Sequence, residues 1–102
     1  TLSRLEATIA ARRAADPDSS YVARLNAKGL ATIAKKLGEE ATETIIAALA
    51  QDRAALVGEA ADLVFHLMVL LGHKGVALAD VLAELDRREG TSGIAEKASR
   101  QS

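Results

Sequence analysis

Two long segments in the middle of the chain carry apolar residues at every third or fourth position. The first covers residues 30–50, and its apolar stripe consists of Leu30, Ile33, Leu37, Ala41, Ile45, Ala48 and Leu49. The second covers residues 55–72, and its stripe consists of Leu56, Ala60, Leu63, Leu67 and Leu71. Neither contains Pro, so the spacing predicts two amphipathic helices. The short connection, residues 51–54, predicts that they pack antiparallel.

Shorter segments on either side show the same helical spacing. Residues 2–14 and 21–28 predict two helices before the central pair, and residues 79–88 predict one after it, with Val81, Leu82 and Leu85 facing inward. Pro17 lies between the first two helices and separates them. Ser19 or Ser20 can cap the second helix, and Gly29 ends it. Gly72 and Gly75 are expected to bound the turn before the last helix. Residues 89–102 read as a loop-like tail. The pattern therefore predicts one all-α domain, a compact bundle of four to five helices.

The end of the second central segment is apolar on nearly its whole circumference. Residues 63–71 are all apolar except His66. A helix that is apolar on every side has to be buried on every side, which a domain of 102 residues rarely achieves alone. This segment predicts a homo-oligomer, most simply a dimer that shares the helix.

Composition narrows the class of protein. Apolar residues make up 49% of the chain, yet there is one Phe, one Tyr and no Trp, which favours helices over a β-sandwich. The formal net charge of −1 provides no general attraction for nucleic acid or membrane surfaces, and we expect neither as a partner. No cysteine is present, the apolar run is short for a bilayer span, and the first residues lack the apolar core of a signal peptide. These features predict a soluble, cytoplasmic protein.

Each central helix carries a pair of acids three residues apart. Glu40 and Glu43 lie beside the stripe of the first helix, and Glu59 and Asp62 lie beside that of the second. If the stripes pack together, four carboxylates converge at the edge of the core, where they repel one another unless a cation binds. Oxygen ligands suit Mg²⁺, so the spacing favours a magnesium site. The alternative is that both pairs lie on solvated faces.

Basic residues precede the first acids. Arg24 and Lys28 share one face of a helix, and Lys35 and Lys36 follow shortly afterwards. They are either ordinary surface residues or a clamp for the phosphates of a polyphosphate substrate. His66 lies one turn beyond Asp62 on the acid flank, and is either a structural histidine or a contact to the substrate or to the metal ligands. Imidazole is a less suitable ligand for a hard metal ion.

Other frequent chemistries leave no signature here. The chain contains no P-loop, no G-x-G-x-x-G and no nucleophile elbow, and neither Glu43 nor Glu59 has a His three residues later, as a ferritin-like di-iron site requires.

Four sequence blocks together resemble a known family. They are D-P-D-S-S-Y at 16–21, K-K-L-G-E-E-A-T-E at 35–43, E-A-A-D-L-V-F-H-L at 59–67 and R-E-G-T-S-G-I-A-E-K at 88–97. E-x-x-E followed after fifteen residues by E-x-x-D resembles the metal-binding signature of the MazG-like all-α nucleoside triphosphate pyrophosphatases. With the two terminal blocks, the whole chain resembles the phosphoribosyl-ATP pyrophosphatase family of histidine biosynthesis.

The resemblance implies Mg²⁺-dependent hydrolysis of phosphoribosyl-ATP to phosphoribosyl-AMP and pyrophosphate. It implies that Glu40, Glu43, Glu59 and Asp62 hold the metal and that Glu39 orients or deprotonates the attacking water. The remaining candidates would contact the substrate: Arg24, Lys28, Lys35, Lys36, His66 and, in the tail, Lys97. Two alternatives stay open, a house-cleaning pyrophosphohydrolase of ordinary or damaged nucleotides and a non-catalytic helical dimerisation module.

Overall fold

The computed structural model describes residues 1–89, which form five helices. They are α1 (Leu2–Arg12), α2 (Tyr21–Lys28), α3 (Leu30–Ala50), α4 (Arg53–His73) and α5 (Leu78–Glu89). No strand occurs in this part of the chain, and the predicted all-α bundle is confirmed. The predicted tail lies almost wholly outside the described residues.

Local capping explains most of the helix boundaries. Ser20 has extended backbone angles and its Oγ accepts a hydrogen bond from the Ala23 N–H, which starts α2 where the sequence predicts. Gly29 ends α2 and precedes α3 at a φ of +98°, a conformation that side chains with a Cβ rarely adopt. The Asp52 carboxylate caps α4 by accepting from the Ala55 N–H at 2.9 Å, so α4 begins two residues earlier than predicted.

Two predicted boundaries were wrong. Helix α1 ends at Arg12, before the turn that leads to Pro17, instead of continuing to Ala14. Gly72 does not bound the turn before α5, because α4 continues to His73. Gly75 does lie in that turn, with a φ of +70°.

Helices α3 and α4 form a long antiparallel hairpin, and α1 and α2 cover only one end of it. The buried core lies where α1, α2, the start of α3 and the end of α4 meet, and consists of Ile9, Val22, Leu25, Ile33, Met68 and Val69. The buried residues of α4 all lie in its second half. The other end of the hairpin therefore projects beyond the two short helices.

An apolar face is left uncovered along the hairpin, from its projecting end to the middle of α4. Its side chains are between 39% and 83% exposed and are contributed by Ile45, Ile46, Leu49, Val57, Val64 and Leu67. Ile45 and Leu49 belong to the apolar stripe that the spacing predicts to pack against the second central helix, yet both are exposed in the single chain. At that end of α3 only one side is covered, by α4, because α1 and α2 lie at the other end. We call these six residues the uncovered apolar face.

Helix α5 contributes less to the core than its sequence suggests. Leu78 packs against the core at the start of the helix, but Leu82 and Leu85 are exposed. The prediction that these two face inward was wrong, because α5 is attached mainly through its beginning. There the Leu78 N–H donates to a Glu6 carboxylate oxygen at 2.8 Å, and the Arg13 guanidinium donates to the Gly72 carbonyl at the end of α4.

Helix α4 is long and apolar enough to cross a membrane by length and composition. The mean hydropathy of an 18-residue window of this helix is 1.8, and 17% of that window is buried within the chain. The same composition occurs in core helices of water-soluble bundles, and α4 carries Glu59, Asp62 and the buried His66 on the side that faces α2 and α3.

We expect the replacement Ile33→Ala to reduce the free energy of unfolding by about 2 to 5 kcal/mol, because it removes a fully buried side chain from the core. Chemical denaturation of both proteins measures the difference. The control is Val76→Ala, at a 40% exposed loop position, which we expect to change stability by about 0.5 kcal/mol or less. Equal effects of the two replacements would contradict the assigned core.

Candidate metal centre

Three carboxylates meet where α3 and α4 pack together. Glu40 and Glu43 project from adjacent turns of α3, and Glu59 projects from α4 across the hairpin. One oxygen from each side chain lies within 4.8 Å of the oxygens of the other two. The convergence of acids from both helices, which the spacing predicts, is therefore present for three of the four residues.

Two oxygens of this cluster lack a hydrogen-bond partner. The Oε2 atoms of Glu40 and Glu59 are buried, and no group in the described part of the chain donates to either. A buried carboxylate oxygen without a donor destabilises the folded state unless a proton or a cation compensates it. The available ligands are all carboxylate oxygens, which is the donor set that Mg²⁺ prefers. The cluster therefore fits a hard divalent cation.

The pKa values of the cluster are shifted in the direction expected for crowded, partly buried carboxyl groups. The pKa of Glu59 is raised, first by the hydrogen bond that its neutral carboxyl makes with Glu43, then by desolvation and repulsion from the neighbouring acids. The pKa of Glu40 is also raised, mainly by desolvation and then by Glu43, while the neighbouring His66 opposes the shift. Both carboxyls therefore hold a proton more tightly than free glutamate does.

Asp62, the fourth predicted ligand, is not part of the three-residue group. Its negative charge still raises the pKa of both Glu40 and Glu59, so its carboxylate lies at the edge of the cluster. Its backbone carbonyl contacts His66 Nδ1 at 2.7 Å. The structure thus places Asp62 beside the candidate centre without bringing it into the closest contact.

The predicted water-activating residue is paired with a predicted phosphate ligand. Glu39 is exposed and lies 3.6 Å from the ammonium group of Lys36, one turn earlier on α3. At about 100° per residue, Lys36 lies about 40° round the helix from Glu40, whereas Lys35 lies about 140° away. Lys36 is therefore on the acid side of α3, and Lys35 is not.

The two basic residues of α2 are exposed, as a role in substrate binding requires. Arg24 and Lys28 make no ion pair with any residue of the described part. They lie about 60° and 20° from Tyr21 on the helix circumference, so all three share one side of α2. Lys97 lies outside the described residues.

His66 is buried and bonded on both ring nitrogens. Nδ1 contacts the Asp62 carbonyl, and Nε2 lies 2.8 Å from the hydroxyl of Tyr21, across 45 positions in the sequence. The sequence predicts that His66 lies one turn beyond Asp62 on the side of the acids, and its contact with the Asp62 carbonyl is consistent with that prediction. Tyr21 itself was not among the predicted site residues, and its only sequence signal is that it ends the D-P-D-S-S-Y block and follows the cap of α2.

A cavity of about 370 Å³ lies elsewhere, between α1 and the connection from α4 to α5. Its walls include Glu6, Arg13 and Leu71. Leu71 lies about 180° round α4 from Asp62, so the cavity opens on the far side of the helix from the acids. It is separate from the candidate metal centre.

Comparison with known proteins identifies the family of the chain. The model of the phosphoribosyl-ATP pyrophosphohydrolase family matches residues 2–89. The phosphoribosyl-ATP pyrophosphatase of Novosphingobium aromaticivorans is 77% identical over 99 residues, which cover 97% of this chain and 92% of the relative. That of Rhizorhabdus wittichii is 73% identical over 98% of this chain and 94% of the relative. That of Dinoroseobacter shibae is 65% identical over 97% of both.

We expect the replacement Glu59→Gln to raise the melting temperature of the metal-free protein at pH 7. A raised pKa means that stability is greatest below the pKa of the unfolded state and is lost as the pH rises through the folded pKa. A neutral glutamine removes that loss, and it also removes a ligand, so the stabilisation by added Mg²⁺ should disappear. Thermal melts with chelator and with Mg²⁺ measure both effects.

The matched control for this measurement is Glu84→Gln on α5. Contact with Arg87 lowers the pKa of Glu84 to about 2, so its charge favours the folded state and its loss should not raise the melting temperature. The Mg²⁺ response of this variant should equal that of the unmodified protein. A metal-free Glu59→Gln protein that is less stable than the unmodified one would contradict the repulsion described here.

Proposed function

Because the chain belongs to the phosphoribosyl-ATP pyrophosphohydrolase family, we propose that it hydrolyses phosphoribosyl-ATP to phosphoribosyl-AMP and pyrophosphate, the second step of histidine biosynthesis. The observation that carries this proposal is the family match over residues 2–89, together with identities up to 77% to phosphoribosyl-ATP pyrophosphatases. The reaction adds water across the anhydride between the α- and β-phosphates. It needs an aligned water and compensation of phosphate charge, and no covalent intermediate.

The acid cluster is the proposed Mg²⁺ site. Glu40, Glu43 and Glu59 would hold the ion, with Asp62 completing the set from the edge. The two buried oxygens without donors support this assignment, because a bound cation would compensate both. When bound, Mg²⁺ neutralises phosphate oxygens and so favours attack on phosphorus.

The surrounding residues would position the substrate and the water. Glu39 orients or deprotonates the attacking water, and Lys36, its ion-pair partner, turns toward a phosphate when substrate binds. Arg24 and Lys28 lie on the side of α2 that carries Tyr21, one and two turns further along, where they can neutralise the more distant phosphate groups. Lys35 is a weaker candidate because it points away from the acids. Lys97 and His66 complete the proposed contacts.

We expect the protein to release pyrophosphate from phosphoribosyl-ATP in the presence of Mg²⁺, and to lose this activity with a chelator. Glu40→Gln and Asp62→Asn should each reduce turnover by about a hundredfold or more while the circular dichroism spectrum stays helical. Glu84→Gln is the matched control and should retain full activity. Pyrophosphate release with ATP and several deoxynucleotides as parallel substrates completes the assay.

Each other outcome of this assay identifies an alternative. A preference for simple or damaged nucleotides would identify the protein as a house-cleaning pyrophosphohydrolase that uses the same acids. Full activity of both acid variants would refute the site. No turnover of any nucleotide, with no stabilisation by Mg²⁺, would leave a non-catalytic helical dimerisation module.

We further propose that the protein is a cytoplasmic homodimer or a higher homo-oligomer. Both helices of the hairpin contribute to the uncovered apolar face, and its side chains include Leu49, which is 83% exposed. Apolar surface of this kind on a water-soluble protein is usually covered by another chain. A second copy that packs against it would also account for the apolar composition of α4 without a membrane.

We expect Leu49→Glu to shift the protein toward a monomer, because a charge at the most exposed side chain of the uncovered apolar face would have to be desolvated in the proposed interface. Size-exclusion chromatography with light scattering measures the molar mass. Ala11→Glu, an exposed change on α1 away from the hairpin, is the control and should leave the mass unchanged. A monomeric mass for the unmodified protein would overturn the proposed assembly.

A further inference from the structure

Tyr21 forms a hydrogen bond that reaches the candidate metal centre from a different helix. It is the first residue of α2, directly after the Ser20 cap, so the position of its ring is set by the start of that helix. Its hydroxyl lies 2.8 Å from Nε2 of His66, a side chain that is only 6% exposed. His66 in turn lies on the same side of α4 as Glu59 and Asp62.

The direction of these hydrogen bonds follows from the chemistry of the partners. The Asp62 carbonyl can only accept, so the His66 nitrogen that contacts it at 2.7 Å, Nδ1, carries the proton. In a neutral imidazole the other nitrogen, Nε2, then has a free lone pair, and the Tyr21 hydroxyl donates to it. The Asp62 carbonyl therefore selects the tautomer in which Nδ1 carries the proton, and the Tyr21 hydroxyl donates to the nitrogen that this tautomer leaves unprotonated. The same bond fixes the rotation of the ring.

The ring of Tyr21 is held independently of its hydroxyl. It stacks on Phe65 with 6.2 Å between centroids and an interplanar angle of 23°, and it meets the imidazole edge at 5.7 Å. Phe65 also meets the edge of His66 at 5.3 Å. Removing only the hydroxyl should therefore leave the aromatic packing in place, which makes the hydrogen bond separable by mutation.

A second hydrogen bond between α2 and α4 provides an internal comparison. Asn26 Oδ1 lies 2.9 Å from Nδ1 of His73, two turns beyond His66 on α4. This contact joins the same two helices but is further from the acids. If the two bonds only docked α2 onto α4, their loss would have equivalent effects.

We propose that Tyr21 is a positioning residue of the metal centre, whose hydroxyl holds His66 against the Asp62 carbonyl and so keeps the turn of α4 that carries Glu59 and Asp62 in register with Glu40. This inference rests on the proposed function of the acids. Residues that orient the ligands of a metal typically change affinity or activity by about 10- to 100-fold when replaced. Because Tyr21 acts through His66, we expect an effect of about tenfold.

The first test compares Tyr21→Phe with Asn26→Leu, which each remove one hydrogen bond between α2 and α4. Titration of Mg²⁺ against the melting temperature and against turnover gives two apparent Mg²⁺ affinities for each protein. We expect both to weaken about tenfold in Tyr21→Phe and to stay unchanged in Asn26→Leu. Equal Mg²⁺ affinities in the two variants would reduce Tyr21 to a docking contact and overturn the inference.

The second test needs neither metal nor activity. The ¹⁵N chemical shifts of the His66 ring in the metal-free protein report its tautomer and the hydrogen bond at Nε2. We expect the Nδ1–H form in both proteins, and in Tyr21→Phe a changed Nε2 shift, because the hydroxyl that donates to Nε2 is absent. An Nε2–H tautomer in the unmodified protein, or an unchanged Nε2 shift in Tyr21→Phe, would also overturn the inference. In a His66→Leu background, Tyr21→Phe should weaken Mg²⁺ affinity no further, because the residue through which it acts is absent.

The two hypotheses fail in different ways. If the unmodified protein shows neither turnover nor stabilisation by Mg²⁺, the proposed function fails and the positioning role fails with it. If the unmodified protein shows both and Tyr21→Phe matches it, the proposed function stands and only the role of Tyr21 is overturned.

Discussion

The mutual repulsion of Glu40, Glu43 and Glu59 is the constraint on which the proposed site depends. Their oxygens lie within 4.8 Å of one another because the apolar stripes of α3 and α4 pack together and bring the acids at the stripe edges with them. Burial of apolar side chains thus stabilises an arrangement that the charges alone would disfavour. The raised pKa values of Glu40 and Glu59 express this conflict, and a proton or a cation can resolve it.

The polar contacts around the acids show how a small bundle maintains such an arrangement. His66 is buried within a helix that is otherwise almost wholly apolar at that level, and both of its ring nitrogens have partners. A buried imidazole without partners would destabilise the fold, so the pairing with Tyr21 and the Asp62 carbonyl is required for stability. The same pairing ties α2, which carries Arg24 and Lys28, to the acid side of α4. The hydrogen bonds of His66 therefore contribute both to the stability of the fold and to the placement of the basic residues of α2.

The uncovered apolar face remains exposed because a chain of 102 residues has too few helices to cover both ends of a long hairpin. Helices α1 and α2 are short and cover one end of the hairpin, where the main core cluster lies. The other end extends beyond them, and side chains such as Ile45 and Val57 remain exposed. A second chain is the simplest cover for this surface, and it would complete the burial that α4 lacks within one chain. In that arrangement the acid cluster would lie close to an interface between subunits.

Local signals in the sequence determined the helices. The cap at Ser20 and the positive φ at Gly29 act within one turn of the chain, so α2 and α3 begin and end where the pattern predicts. The spacing of the acids similarly placed each pair on one side of its own helix. Where a local signal was missed, as with the capping role of Asp52, the predicted boundary shifted by two residues. The family resemblance came from the same local blocks and is confirmed by the match over residues 2–89.

Only the tertiary structure decided which sides of α3 and α4 contact each other. The rotation of each helix about its axis results from many small packing contacts along the whole hairpin, and no short stretch of sequence encodes it. That rotation brings three acids together and leaves Asp62 at the edge, and it exposes Ile45 and Leu49. It also joins Tyr21 to His66 across 45 positions. Periodicity identifies the side of a helix that is apolar, but the shape of the neighbouring helices determines whether that side is covered.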